Sequence, residues 1–363
     1  MNLSKTLTEQ YTKEHLSAKE AQRLAELIAF GPIVFQVSRI MLKWGIFDML
    51  REGDYTLEEI VAEKRISRYA AKCLLEASLT IGTILINKET EKYSLSKAGW
   101  FLLIDPATRV DIDFNHDVNY IGMFRLEDAL KEGRPVGLEH FGPWPTVYEG
   151  LSQLPEDAQK SWFAFDHFYS DHSFDQALQI VFERKPKTLL DVGGNTGRWA
   201  LQCVGYDSQV EVTIVDLPQQ IEMMHQQIKG KDGAERISGF GTNLLDPKNQ
   251  FPTDRHYDAI WMSQFLDCFS EEQIQSILER TAAIMDRDSR LFIMETLWDR
   301  QKYDPAALAL TQTSLYFTAI ANGNSKMYHS DDLIAIVEKV GMEIETIHDY
   351  LGHGHSIMVL RTK

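Results

Sequence analysis

From Pro186 to the end, the sequence alternates between short apolar runs and longer amphipathic ones, and this alternation restricts the fold more than any other feature. "TLLDVGG", "VEVTIVDLP", "RISGFGTN", "YDAIWMSQFL" and "RLFIMETLW" read as buried strands; "RWALQCVG", "QQIEMMHQQIKG" and "SEEQIQSILERTAAIMD" read as helices among them. Strands buried on both faces and separated by helices form a parallel, doubly wound sheet. The end, "IETIHDYLGHGHSIMVLR", holds two strand patterns joined by a short Gly-His loop, which makes an antiparallel pair and brings the strands to seven.

In such a sheet, ligands bind beyond the carboxyl ends of the central strands. "DVGGNTG" places Gly193, Gly194 and Gly197 between a strand and a helix, where missing side chains let a ligand approach the backbone. Asp216 closes the next strand, where an acid accepts hydrogen bonds from both ribose hydroxyls of a nucleoside. Two cofactors fit this pattern, a nicotinamide dinucleotide and S-adenosylmethionine. A dinucleotide fingerprint needs G-x-G-x-x-G, whereas this turn is G-G-x-x-G preceded by Asp191, an acid suited to a cationic amino-acid end. The alternative is a purely structural strand-to-helix turn.

The chain changes character ahead of this region. Residues 1–105 are mostly helical: a long apolar segment is interrupted at Gly31-Pro32 and closed by Gly53. Thr56 with Glu59 has capping-box spacing, and Ser67 opens a further helix. Two short strands follow in "ILINKETEKYSLSKAG", as in a winged helix. A winged helix raises the reading of a ligand-sensing transcription regulator, with Arg65, Arg68 and Lys72 on the recognition helix. The net charge of -16 opposes it, because an acidic surface repels nucleic acid and anionic lipid alike. The apolar segment from Leu27 to Leu50 suits a buried homodimer interface better. Residues 106–185 form a helical, aromatic-rich linker, and residues 186–363 the cofactor domain.

Three cysteines, Cys73, Cys203 and Cys268, lie too far apart for a redox pair or zinc knuckle. The histidines show no ligand spacing; His353 and His355 in "HGHS" read as a hairpin loop and His329 as a helix-start residue, so no metal is expected. The amino terminus is polar, without a signal-peptide apolar core, and no run reaches membrane-span length. These features imply a cytoplasmic protein without nucleic-acid or membrane partners.

"LLDVGGNTG", "VDLP" and "FIMETLW", set behind a winged-helix half, resemble the class I small-molecule O-methyltransferases of the caffeate and hydroxyindole type, including bacterial members. "LKWGIFDML", "FYSDHS" and "NGNSKMYHSDDL" match further family segments in order, so the resemblance covers nearly the whole chain. It implies a Rossmann-like, seven-stranded methyltransferase domain behind an N-terminal helical dimerisation domain. It also implies S-adenosylmethionine as cofactor and a hydroxyl of a small aromatic molecule as methyl acceptor. The cofactor positions are then Asp191, Gly193, Gly194, Gly197, Asp216, Leu217, Asn243, Leu244, Ser263 and Ser173. Tyr169, Tyr316, Asn322 and Met327 fall at substrate-facing positions; Tyr120, Phe124, Phe163 and Phe317 are pocket lining or core.

The catalytic positions depart from the family pattern. Where many members have a histidine base, "FLDCFSEEQ" has Asp267; the family's tryptophan becomes Phe269, one supporting glutamate is retained as Glu295, and the second falls on Met327. A carboxylate of ordinary pKa, about 4, is a weak base at neutral pH. Burial near Glu295 would raise it, enough to take the proton of an acidic phenol. The alternative is that Asp267 caps the helix beginning near Ser270 or orders the loop, although Ser270 is itself the better cap. The lost histidine also leaves open a relative that keeps the cofactor site but performs hydroxylation or decarboxylation.

Overall fold

The computed structural model describes residues Asn2–Lys363, apart from the side chains of Tyr169, Ser170 and Asp171. The chain divides into two compact units, Glu14–Val118 and Met1–Lys13 together with Asn119–Lys363. These divisions differ from boundaries at 105 and 185. Helix Lys5–Tyr11 joins the C-terminal unit because Leu7 is fully buried there, the Ser4 amide donates to the Asp299 carbonyl, and the Asn2 side chain donates to Asp331. Such long-range tethers carry no local sequence signal.

The smaller unit has five helices from Ala18 to Ile81, strands β1 (Ile84–Ile86) and β2 (Tyr93–Leu95), and two helices, Lys97–Ile104 and Pro106–Phe114. β1 and β2 pair antiparallel as the wing. Thr56 and Glu59 form a reciprocal capping box and Ser67 caps the helix Arg68–Ile81, fixing both helix starts by local bonds. Met41, Ile46, Phe47, Ile60, Leu75 and Ile84 make its core. Arg68 and Lys72 on the last long helix are paired with Glu58 and Glu76, so little positive charge is left for a phosphate backbone. Helix Ala18–Ala29 buries no residue within the chain; beside it Leu24, Ile28, Phe30 and Ile33 are 47, 71, 55 and 60% exposed. Among the described residues, no single helix is long and apolar enough to cross a membrane.

The larger unit holds seven strands: β3 (Thr188–Val192), β4 (Glu211–Asp216), β5 (Ile237–Gly241), β6 (Ala259–Ser263), β7 (Arg290–Glu295), β8 (Met342–Leu351) and β9 (His355–Thr362). Their order is β5-β4-β3-β6-β7-β9-β8. The first five run parallel, and β9 is antiparallel to both β7 and β8. Both faces are covered, as the continuous apolar runs require. One face packs Leu189, Trp261 and Phe292 under helices Phe174–Val181 and Arg198–Tyr206; the other packs Leu190, Ile260 and Ile293 under Glu271–Ala283 and Ser330–Lys339. β3 and β6 lie side by side at the centre, so their carboxyl ends, Val192 and Ser263, open onto one crevice.

Trp261 and Trp199 stack with centroids 4.3 Å apart, fastening the helix after the glycine turn to the central strands. Trp261 is 1% exposed. Trp261→Ala should destabilise the protein by about 3–5 kcal/mol, read as a lower urea midpoint with an unchanged slope.

Candidate functional site

The glycine turn follows β3 directly. Gly193 has φ 76°, and its amide donates to the Val215 carbonyl at 2.8 Å, locking the turn to β4. A Cβ on Gly193 would sit 2.5 Å from the Phe265 ring, and one on Gly194 would sit 2.6 Å from Asp191 Oδ2. Only glycine leaves this backbone open. Gly197, at φ 80°, begins the helix Arg198–Tyr206. Asp191 is 2% exposed and its Oδ2 has no hydrogen-bond partner. Burial, and then the nearby Asp216, push its carboxyl up to about 8.

Asp216 ends β4. Its Oδ2 accepts the Asn195 amide at 2.8 Å and its Oδ1 the Leu217 amide at 2.7 Å, so the carboxylate is aimed by the turn it serves and each oxygen keeps a lone pair for a hydroxyl. Burial raises its pKa while both amides oppose the rise. An orphaned acid, a bare backbone turn and an oriented second acid suit a cationic nucleoside cofactor.

Four other expected cofactor positions are Asn243, Leu244, Ser263 and Ser173. The exposed Asn243 uses its side-chain carbonyl to accept the Leu245 amide at 2.9 Å. Leu244 packs into the core with Val192 and Val215. Ser263 closes β6, and Gln264 after it takes φ 46° with its amide donating to the Met294 carbonyl. Ser173 is fully buried, its Oγ 2.9 Å from Nδ1 of a fully buried His355. Burial, and then His353, push His355 down to about 3, so the imidazole is neutral. A Cβ on Gly352 would lie 2.4 Å from Ser173 Oγ, which explains a glycine in the hairpin.

The acids lie past β6 and β7. Asp267 sits on a single 3-10 turn, Leu266–Cys268, and is 6% exposed. It does not cap the following helix; Ser270 does, in a capping box with Gln273. Glu295 Oε1 accepts the Phe265 and Leu266 amides at 3.1 and 2.8 Å, holding the turn, while buried Oε2 has no partner. Burial pushes Asp267 up to about 7, with the Cys268 thiol opposing and Asp166 adding to the rise. Glu295 is raised well above its ordinary value by burial and then by Asp267.

Aromatic residues surround this turn. Tyr148 donates its hydroxyl to Cys268 Sγ at 3.2 Å, and Trp162 donates to the Tyr316 hydroxyl at 2.7 Å. Tyr148, Trp162 and Asp166 went unread in the sequence; an aromatic stripe alone cannot separate pocket from core. Tyr316 is 4% exposed and pushed well up by burial. The side chain of Asn322, expected to face substrate, is held by local bonds: Nδ2 donates to the Cys268 carbonyl and Ser325 Oγ, and Oδ1 accepts the Asn324 and Ser325 amides. Met327 is buried with Sδ 3.4 Å from Thr296 Oγ1. Phe124 is 92% exposed and lines no pocket; Phe317 is buried in the chain interior. The Tyr169 side chain lies outside the described residues. His329 caps the helix Ser330–Lys339 through Nδ1. No group of three or more His, Cys, Asp or Glu among the described residues could hold a metal.

A methyltransferase domain family model matches residues 165–347, spanning the sheet, the glycine turn and both acids. The chain belongs to this family. S-adenosylmethionine is the methyltransferase's cofactor, and the residues of the turn fit it: Asp191 offers an unpaired acid to the cationic end and Asp216 two oxygens to the ribose. A Dimerisation2-like domain model matches residues 22–93. Among curated relatives, human acetylserotonin O-methyltransferase is 20% identical over 80% of this chain and 84% of its own. The N,N-dimethyltransferase OxyT of Streptomyces rimosus is 24% identical over 85% of this chain and 88% of its own. In fold, the methyltransferase is similar to the apo S-adenosylmethionine-dependent methyltransferase SibL, with TM-score 0.69, 20% identity, and coverage of 93% of this chain and 98% of that one.

The raised acids make stability depend on pH. Asp191 and Asp267 hold their protons to about 8 and about 7, against an ordinary 3.8, so the folded state binds more protons between these values. Stability should therefore be full below about pH 4 with respect to these groups and fall as pH rises through 7 and 8, by up to roughly 1.4 kcal/mol per pH unit for each. Thermal unfolding from pH 4 to 9 checks this, and Asp191→Asn should flatten the upper part of the slope.

Proposed function

We propose that the methyltransferase places the methyl group on a hydroxyl of a small aromatic molecule, with Asp267 taking the hydroxyl proton. The observation that carries this reading is the position of Asp267: buried, at the carboxyl end of the central strands, its pKa raised to about 7, near Tyr148 and near Tyr316, whose hydroxyl Trp162 holds. When bound, the cofactor supplies a methyl group on a sulfonium. The protein would orient the acceptor and supply a buried proton sink. A carboxyl with a pKa near neutrality is ionised in part at working pH yet basic enough to accept a phenolic proton. Glu295 acts through its hold on the Phe265 and Leu266 amides, which aim the turn, and is a positioning residue. The relative's activity, O-methylation by acetylserotonin O-methyltransferase, supports a hydroxyl acceptor.

Incubation with a panel of phenols and detection of S-adenosylhomocysteine tests the reaction. Asp267→Asn should lower kcat by about 10²–10⁴-fold, while affinity for S-adenosylhomocysteine stays within twofold of the parent, roughly. A parent-like rate in the variant would remove Asp267 from proton transfer.

The chain is proposed to work as a homodimer through its smaller unit, in the cytoplasm. The dimerisation-type match over residues 22–93 and the apolar side chains of Leu24, Ile28, Phe30 and Ile33, uncovered within one copy, support a second copy as the cover. Three free cysteines suit a reducing compartment. The double variant Ile28→Asp/Ile33→Asp should shift the protein from dimer to monomer in sedimentation velocity, with its helical circular dichroism retained.

A further inference from the structure

Two helices of the smaller unit gather positive charge in a chain whose net charge is -16. Arg39 and Lys43 lie one turn apart on the helix Gly31–Lys43, and Arg109 lies on the helix Pro106–Phe114. Like charges four residues apart repel, and the other residues three or four positions from them on the first helix, Phe35, Gln36, Ile40 and Leu42, offer no acid. On the second helix, Asp105 stands four residues before Arg109, but its Oδ2 accepts the Thr108 amide and hydroxyl at 2.9 and 2.7 Å as the helix cap.

The three cations line one cavity of about 210 Å³, together with Leu42, Ile112 and Asp113. All six residues belong to the unit Glu14–Val118. Leu42 and Ile112 are buried and give the cavity an apolar floor, Arg39 and Arg109 are half-buried, and Lys43 and Asp113 are exposed. One acid therefore answers three cations on the cavity wall. Arg39 is the most enclosed of the three, and its Nε is buried with no hydrogen-bond partner. Asp117, which lies outside the cavity lining, is 3.8 Å from Arg39 Nη2, beyond hydrogen-bond reach, and 2.6 Å from His116 Nδ1.

A buried guanidinium N–H without an acceptor costs free energy that a bound oxygen would recover. Arginine presents its donors as a planar fork that matches phosphate oxygens in pairs, and two such forks with an ammonium reach this cavity from two helices. That set suits a tetrahedral anion with three outward oxygens better than a carboxylate, which brings two oxygens and a single charge. A polyanion such as nucleic acid, or an anionic membrane, would meet the acidic surface as a whole. A small anion meets mainly the charges within about 10 Å at 0.1 M salt.

We infer that this cavity binds a phosphate group, free or as the monoester of a small molecule, between Arg39 and Arg109 with Lys43 adding charge. The bound anion offsets the repulsion between Arg39 and Lys43 and ties the helix Gly31–Lys43 to the helix Pro106–Phe114. The inference does not rest on the methyl-acceptor reading, since every residue it uses lies in the smaller unit.

Calorimetric titration of the full-length protein with sodium phosphate tests the inference, at about pH 8, where phosphate is a dianion, and at ionic strength held constant with sodium chloride. Saturable binding of one phosphate per chain is expected, with acetate at least about tenfold weaker. Arg39→Gln and Arg109→Gln are each expected to weaken phosphate binding at least about tenfold, and Lys88→Gln, in the turn of the wing, to leave it unchanged. Asp113→Asn removes the opposing charge from an exposed side chain that tolerates replacement, and is expected to tighten binding about two- to fivefold. Propyl phosphate separates the two sources: tighter binding than inorganic phosphate assigns the site to an ester, weaker binding to the free anion. No saturable heat, acetate binding equal to phosphate, arginine variants that bind like the parent, or an Asp113→Asn variant that binds no tighter than the parent overturns the inference.

Discussion

A carboxyl group buried at the end of β7 determines the shape of the chemical end of this molecule. Glu295 reaches across the strand ends and accepts two consecutive amides, of Phe265 and Leu266, where the chain leaves β6. Those amides would otherwise be buried donors without acceptors, each costing about 1–3 kcal/mol. With them satisfied, the chain turns tightly enough to put Asp267 at the mouth of the sheet and Phe265 over Gly193. One side chain thus couples the turn that carries the proposed base to the turn that carries the cofactor.

The arrangement is costly in the absence of ligands. Two buried acids near one another cannot both ionise easily, and Asp191 beside Asp216 repeats the situation across the crevice. A chain selected for stability alone would replace such acids by apolar residues of similar volume. Their retention as a set, each with a raised pKa and at least two with an unsatisfied oxygen, marks the strand ends as a place built for what binds there.

The fold was legible because its signals are local. Strand and helix periods, the glycine turn with Asp216, and the caps at Thr56, Ser67 and Ser270 each depend on residues within a few positions of one another. Of the candidate site, what the sequence makes legible is position at a strand end, as for Asp191, Asp267 and Glu295, since the sheet topology places those residues. Tyr148 meets Cys268 and Trp162 meets Tyr316 across more than a hundred residues of chain, and no period or spacing announces such pairs. The same separation explains the polar residues whose hydrogen bonds go elsewhere. Ser173 is engaged by His355 from the far end of the chain, and Asn322 by the Cys268 carbonyl, partners that no local spacing announces.

An aspartate at the position where the resemblance implies a histidine then reads as a change of electrostatic sign rather than a simple loss. A histidine base becomes a cation as it works and needs acids near it to stabilise that charge. Glu295 keeps such a position here, but its partner is another acid, so taking a proton lowers the local negative charge instead of creating a positive one. Bound beside Asp191, a cationic cofactor would favour the ionised form of that acid, while burial holds Asp267 near neutrality, where a carboxylate is basic enough to take a phenolic proton.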